Sequence, residues 1–429
     1  MTEALGIVDA NEQWACPCCG HQLGGAFYEV GPVPVHSCLM LDTAEEAMSF
    51  PSGMVRLALC KSCGFVANTA FDPKWSAYAP NYEDQQSFSP IFNSFASQLA
   101  AELVERYALR GKRVVEIGCS KGDFMALLAE LGGMDTVGID PSAVEGRVAK
   151  PTCGSMRFLP EYYGPQHLAL PADLLCCRHT LEHISDVHGT LDLMRRHAAM
   201  TPGAVLCIEV PDATRIWKAC AFEDIYYEHC SYFTAGSLAA AVRRAGFAVT
   251  DLRREYGDQY LVLEACLDTS RDRRFEIEEP PAETARDVAA FRDRIGPVLS
   301  DWRARIAEPR SRGERVAIWG SGSKCVAFLR TLRIAEGIDA IVDINPHRAG
   351  KVAPGLGTAI STPETLVSIR PELVVAMNPV YLPEISADCR AMGLSAALIA
   401  VGATPNQSGC VPPREDRRGA APREQERIE

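Results

Sequence analysis

Two rhythms divide the apolar positions of this chain. Across residues 90–265, and again across 314–401, short unbroken apolar runs alternate with stretches where apolar residues recur every three or four positions. That alternation predicts strand–helix–strand units feeding parallel sheets, whose strands read apolar throughout because helices cover both faces. Residues 14–72 follow neither rhythm, since Cys, Gly and Pro break them into short apolar runs. Residues 268–286 are charged, carry the pair Pro280-Pro281 and mark a boundary. Beyond it Val288, Phe291, Ile295, Val298, Leu299, Trp302 and Ile306 step by threes and fours, predicting an amphipathic helix that leads into the last region. No period of about 20–50 residues recurs, which argues against a solenoid or propeller. The predicted division is 1–75, 76–270 and 271–405, with a Pro- and charge-rich disordered tail at 406–429.

Composition narrows the class. A chain of 429 residues that is 47% hydrophobic can bury two or three cores. A net charge of -12 argues against a nucleic-acid partner, because phosphate binding needs clustered Lys and Arg. The first residues lack a basic start followed by an apolar run, and no apolar stretch approaches the roughly 20 residues of a membrane span. The expectation is a cytoplasmic enzyme with no membrane partner. In that compartment 17 cysteines read as metal ligands and small buried hydrophobes, not as disulfides.

Four of them have the spacing of a metal site. Cys16 and Cys19 form one CxxC pair and Cys60 and Cys63 another, each beside a glycine (CPCCG and CKSCG). Two such pairs supply four thiolates to one tetrahedral Zn2+ and leave no position open for catalysis, so the zinc is expected to be structural. Cys18 is an alternative first-knuckle ligand, with His21, His36 and Cys38 as more distant substitutes. Zinc would stabilise a small domain that cannot build much core.

The chemistry of the first alternating region lies at its strand ends. Arg113–Ile117 runs into Gly118-Cys119-Ser120-Lys121-Gly122, and a helix follows from Phe124. Such a turn lets a ligand approach the backbone, and amides at the helix start favour an anionic group. A second strand ends at Asp140-Pro141, where a carboxylate can accept the hydroxyls of a ribose. The GxxxG spacing is not the GxGxxG of pyrophosphate binders, and Glu116 would repel a pyrophosphate. The segment is therefore expected to hold S-adenosylmethionine, through Glu116, Gly118, Ser120, Gly122, Asp140 and Pro141. A third strand ends at Arg178-His179-Thr180-Leu181-Glu182-His183, which should face the reacting group and adds His179 to the cofactor set. His179 to His183 also fits the HxxEH zinc-peptidase pattern, which the strand-end position disfavours.

After the strand Ala204–Glu209, an excursion carries Tyr226-Tyr227-Glu228-His229-Cys230-Ser231-Tyr232-Phe233-Thr234. Acid, base and phenol groups packed this densely outside a periodic element suggest a substrate-facing loop. His229 can act as a base held by Glu228, with Tyr226 or Tyr227 as hydrogen-bond donor; the bland reading is a hydrogen-bonded cluster that shapes the loop. Tyr78 and Tyr82 in the preceding link are placed to close the site from the other side.

With zinc knuckles, the EIGCSKG turn, the YEHCSYFT loop and a second Rossmann-like unit in that order, the chain resembles the three-domain sugar C-methyltransferases over roughly residues 14–402. The resemblance implies an α/β fold: an N-terminal zinc-binding domain, a class I (Rossmann-like) methyltransferase domain and a second, C-terminal Rossmann-like domain. It also implies an acceptor that is a nucleotide-linked ketodeoxysugar, a catalytic base at His229 with Tyr226 and Glu228 beside it, and further site residues at His183 and Tyr82. The linker NYEDQQSFSP departs from the Tyr- and Ser-rich run usual in that family.

The last region repeats the nucleotide-binding logic at Gly320-Ser321-Gly322-Ser323-Lys324, with Asp343 at the next strand end. Lys324 can neutralise a phosphate there; the alternatives are a degenerate unit that closes the substrate cleft and a purely structural one. Three rival functions stay open on the sequence alone: methylation of oxygen or nitrogen, an NAD-linked oxidoreductase using this C-terminal unit, and a non-catalytic zinc scaffold.

Overall fold

A computed structural model describes residues 14–75, 77–334 and 337–402; the expected tail at 406–429 lies outside them. The N-terminal strands are β1 (Ala26–Pro34), β2 (Ser52–Leu59) and β3 (Val66–Asn68). The first alternating region supplies β4 (Arg113–Ile117), β5 (Asp135–Ile139), β6 (Ser155–Leu159), β7 (Leu174–Arg178), β8 (Val205–Pro211), β9 (Ser231–Tyr232), β10 (Ala248–Glu255) and β11 (Tyr260–Cys266). The second supplies β12 (Val316–Trp319), β13 (Ala340–Val342), β14 (Ile360–Ser361), β15 (Leu373–Ala376) and β16 (Ala397–Ala400).

The central sheet has the order β10-β11-β8-β7-β4-β5-β6. Strands β4 to β8 pair in parallel, and β11 runs antiparallel to both β8 and β10. This is the class I methyltransferase arrangement. Its inner strands are apolar because both faces are covered: Val114, Val115, Leu174, Leu175, Leu206 and Ile208 are all fully buried. The strand order reverses direction between β4 and β7, which opens a crevice beyond their carboxyl ends. The C-terminal sheet, β14-β13-β12-β15-β16, is wholly parallel and has its own reversal between β12 and β15.

The expected amphipathic helix is longer than its apolar stripe. It spans Pro281–Ser311, opens with a proline where the missing N–H costs nothing, and buries Val288, Phe291, Ile295 and Ile306. The N-terminal sheet is not built from the N-terminal residues alone. Its order is β1-β2-β3-β9, so the segment after His229 pairs edge to edge with β3 through Val66–Tyr232 and Ala67–Ser231. Among the described residues no helix is long and apolar enough to cross a membrane.

Candidate active site

A cavity of about 910 Å3 lies beyond the carboxyl ends of β4, β5 and β7 and is closed on its far side by the C-terminal unit. Glu116, Gly118, Ser120, Asp140, Pro141 and His179 all line it. The turn after β4 is tight. Gly118 has φ +72°, and a Cβ there would lie 1.9 Å from the Thr180 hydroxyl, so only glycine lets β4 and β7 end this close together. Gly122, also left-handed, opens the helix Asp123–Gly132. Asp140 closes the turn from β5: its carboxylate accepts the Ser120 amide at 2.8 Å and the Ser142 amide at 2.6 Å. Glu116 is buried beside it, and burial, reinforced by Asp123 and Asp140 against Arg178, pushes its carboxyl up to about 8.

The end of β7 carries a charged group that depends on β8. Glu209, fully buried, accepts Arg178 Nε at 2.7 Å, and its other oxygen lies 2.7 Å from His179 Nε2. Burial alone would raise Glu209, but Arg178 and His179 overcome it and hold the carboxyl at about 2. Burial likewise opposes the charged His179 ring; Glu209 and Glu182 outweigh it and hold the ring at about 9. His179 is thus an imidazolium facing the cavity. Sequence reasoning passed over Glu209, although an acid at the end of the apolar run Val205–Ile208 was a visible signal.

The Tyr-Glu-His segment divides between two duties. His229 is buried, its Nε2 lies 2.6 Å from the Tyr226 hydroxyl, and its ring packs edge-on against His183 with centroids 4.9 Å apart. Burial, with His183 and His179 nearby, drives the His229 ring well below its ordinary value, so it is neutral and keeps a lone pair. Burial also keeps the Tyr226 phenol protonated. Glu228 does not hold the His229 ring as expected. Its carboxylate is taken by His36 Nδ1 at 3.0 Å and the Ser37 amide at 2.8 Å, because the turn at Tyr227–Glu228 sends neighbouring side chains to opposite sides. Glu228 therefore pins the loop to the N-terminal domain.

His183 Nδ1 meets the Tyr78 hydroxyl at 2.8 Å. Tyr82 lines the same cavity but packs its ring on Tyr78 and His36, at 4.9 and 6.0 Å, so Tyr78 and not Tyr82 touches His183. The four side chains after Tyr82 then tie separate parts of the molecule together. Glu83 accepts from Arg147 at 2.7 Å and from Asn345 of the C-terminal unit at 2.9 Å. Asp84 accepts the Ser120 hydroxyl at 2.5 Å, and Gln85 bonds Asp123 and Arg147. Gln86 accepts from Tyr381 at 3.2 Å. Lys121, inside the glycine turn and fully buried, reaches Ser142 O at 2.7 Å and Pro80 O at 3.3 Å, which holds this strap against the turn.

The C-terminal turn lines the cavity too, but its polar groups serve one another. Asp343 accepts the Ser321 amide and hydroxyl, both at 2.7 Å, the Asn345 amide at 2.9 Å and Arg348 Nη1 at 3.1 Å. The Arg348 guanidinium lies against Gly322. Lys324 is paired with Asp224 of the central domain and so is no free phosphate ligand. This turn forms the far wall of the cavity.

Away from the cavity, the Sγ atoms of Cys16, Cys19, Cys60 and Cys63 lie within 4.8 Å of one another. Cys16 and Cys63 are 3.7 Å apart and Cys19 and Cys60 3.5 Å. A tetrahedral zinc with Zn–S bonds of about 2.3 Å separates its sulfurs by roughly 3.8 Å, so the donor set fits that ion. The two knuckles are alike: Gly20 donates to Cys16 O and Gly64 to Cys60 O, both at 2.8 Å and both with φ +77°. Cys18 is buried outside the set of four; Cys38 sits at Ser323 and His36 at Glu228.

Two parts of the chain match known families. Residues 92–252 match a methyltransferase domain family and residues 275–397 match the C-methyltransferase C-terminal domain family. The chain is 26% identical to the C-methyltransferase NovU of Streptomyces niveus over 394 residues, covering 86% of this chain and 90% of that one. Among solved structures, the 1,6-didemethyltoxoflavin-N1-methyltransferase of Burkholderia thailandensis, with bound S-adenosylhomocysteine, is 19% identical. It covers 47% of this chain and 94% of its own at a TM-score of 0.30. The magnesium protoporphyrin IX methyltransferase of Synechocystis, also with S-adenosylhomocysteine, is 17% identical, with 43% and 90% covered and a TM-score of 0.32.

Proposed function

This chain is an S-adenosylmethionine-dependent C-methyltransferase, and we propose that it methylates the carbon beside the ketone of a nucleotide-linked ketodeoxysugar in the cytoplasm. The observation that carries the reading is the buried pair of neutral His229 and protonated Tyr226, 2.6 Å apart and packed against His183 in the cavity that also holds the glycine turn.

A carbon acid needs a base for its proton and donors for the enolate oxygen. His229 is the base: neutral because it is buried, it takes the proton α to the ketone on Nε2. Tyr226, which donates to that lone pair before the acceptor arrives, turns its hydroxyl to the ketone oxygen and frees the nitrogen. His183, steadied by Tyr78, is the second donor to the same oxygen. When bound, S-adenosylmethionine would supply an electrophilic methyl group to the carbanion and leave as S-adenosylhomocysteine. Glu116, Ser120 and Asp140 would hold that donor around the turn at Gly118 and Gly122, with Pro141 and His179 beside it. The enclosing C-terminal unit excludes water that would otherwise quench the carbanion. Glu228 positions the loop, and Tyr82 shapes the aromatic wall. We assign Zn2+ to the four thiolates as a structural ion.

The substrate class rests on the resemblance to sugar enzymes and on a cavity that continues past the reacting groups to the C-terminal wall, with room for more than a free sugar. The test is to incubate the enzyme with a panel of nucleotide-linked ketodeoxysugars in deuterated water and analyse the products by mass spectrometry. A methyl group on carbon and deuterium exchange at that carbon without donor, both lost in His229→Ala, are the expected results. A retained α-proton with the methyl on oxygen or nitrogen would overturn the base assignment.

A further inference from the structure

The glycine turn is flanked by three carboxylates, and they are not equivalent. Asp140 has one backbone amide on each oxygen. Glu116 sits below the turn, where its Oε2 is buried without a hydrogen-bond partner among the described residues and its side chain lines the cavity. Asp84 comes from the strap that leads from the N-terminal sheet into the central one, ahead of its first strand β4. Its Oδ1 holds the Ser120 hydroxyl at 2.5 Å, and the residue lines the cavity.

The cations near Asp84 are committed elsewhere. Lys121 is bound to two backbone carbonyls, and Arg147 to Glu83 and Gln85. Among the described residues no Lys, Arg or His reaches Asp84 within ion-pair distance. A half-buried carboxylate in that position lowers its free energy by meeting a cation brought by the ligand. Burial already raises the Asp84 carboxyl, Asp140 adding to it while Ser120 and Lys121 work against it. The methyl donor carries such a cation, the α-ammonium of its methionine end, which must lie along the turn if the ribose lies at Asp140.

We propose that Asp84 is a donor-binding residue that takes the α-ammonium of S-adenosylmethionine, with Glu116 as the buried carboxylate beneath it. The donor site is then completed by a residue that lies ahead of the matched methyltransferase region, residues 92–252. The inference rests on the assignment of the glycine turn to the methyl donor.

The test uses the full chain and calorimetric titration with S-adenosylhomocysteine and with its analogue in which hydrogen replaces the α-amino group. Wild type should bind the analogue about 10- to 100-fold more weakly, the size of one charge-assisted hydrogen bond. Asp84→Asn should weaken S-adenosylhomocysteine by a similar factor and leave the analogue within about twofold, because the two losses concern one contact. Equal weakening of both ligands would overturn the proposal, since a structural or ribose-binding role acts on both alike. Unchanged affinity of the variant for S-adenosylhomocysteine would overturn it too. If wild type bound neither ligand, the donor assignment itself would fail and take the proposal with it. Should Asp84→Asn not fold, Asp84→Ser provides the same comparison while keeping a small polar side chain beside Ser120.

Discussion

His179 owes its charge chiefly to Glu209, which lies on the next strand, with Glu182 three residues on helping. The ring's folded value, about 9, lies above the ordinary value of 6.5. The pair's stabilising contribution is therefore complete below about pH 6.5 and is lost as pH rises through 9. Glu209, held at about 2 against an ordinary 4.5, behaves oppositely: its contribution is complete above about pH 4.5 and is lost as pH falls from there towards 2. Glu209→Gln should bring the His179 titration, followed by NMR of the imidazole, down by at least one unit. A titration that stayed near pH 9 would show that Glu209 is not the source. The same variant leaves buried Arg178 without its carboxylate, so it should also cost about 3–5 kcal/mol in denaturant unfolding.

At the scale of elements, the strand pairing of β3 with β9 joins the metal knuckles to the catalytic loop. Cys60 and Cys63 lie between β2 and β3, and β9 begins two residues after His229. Whatever orders the knuckles also orders the loop's edge, and Glu228 adds a second tie through His36 and Ser37. Emission spectroscopy should find about one zinc per chain, held by thiolates. Cys60→Ser should lose it, lower the melting temperature by about 10 °C or more, and reduce turnover although Cys60 is remote from the cavity. A metal-free variant with wild-type turnover would show that the N-terminal sheet holds its shape, and the loop's, without the ion.

Across the whole molecule, the strap at residues 82–86 is where three units meet. Glu83 accepts side-chain hydrogen bonds from Arg147 and Asn345, and its carbonyl oxygen takes Arg348 Nη2 at 2.5 Å. Glu83→Ala should leave buried Asn345 Nδ2 without its acceptor and Arg147 with Gln85 alone, and cost about 1–3 kcal/mol of stability by denaturant unfolding. It should also raise KM for the acceptor more than it lowers kcat, because the wall loosens while the reacting groups stay in place. An equal fall in kcat with unchanged KM would place the strap's effect in the chemistry instead.

Much of this was legible in the chain. The apolar runs at β4, β5, β7 and β12 were readable because strands buried on both faces must be apolar throughout. The turns at Gly118 and Gly320 were readable because glycine most readily takes the left-handed backbone they need, φ +72° and +100°, and the four cysteines because thiolate spacing is local. What stayed hidden is non-local. No local pattern told that Glu228 would serve His36, that Tyr78 would reach His183 ahead of Tyr82, or that Arg348 would lie against Gly322. The short strand β9 was equally invisible, since two residues carry no period. The sequence by itself determined the sheets, the glycine turns and the thiolate set, for each depends on near neighbours and on burial. The charge of His179, the neutrality of His229 and the partners of Asp84 and Asp343 were decided only by tertiary structure, because electrostatics depends on distance in space and not along the chain.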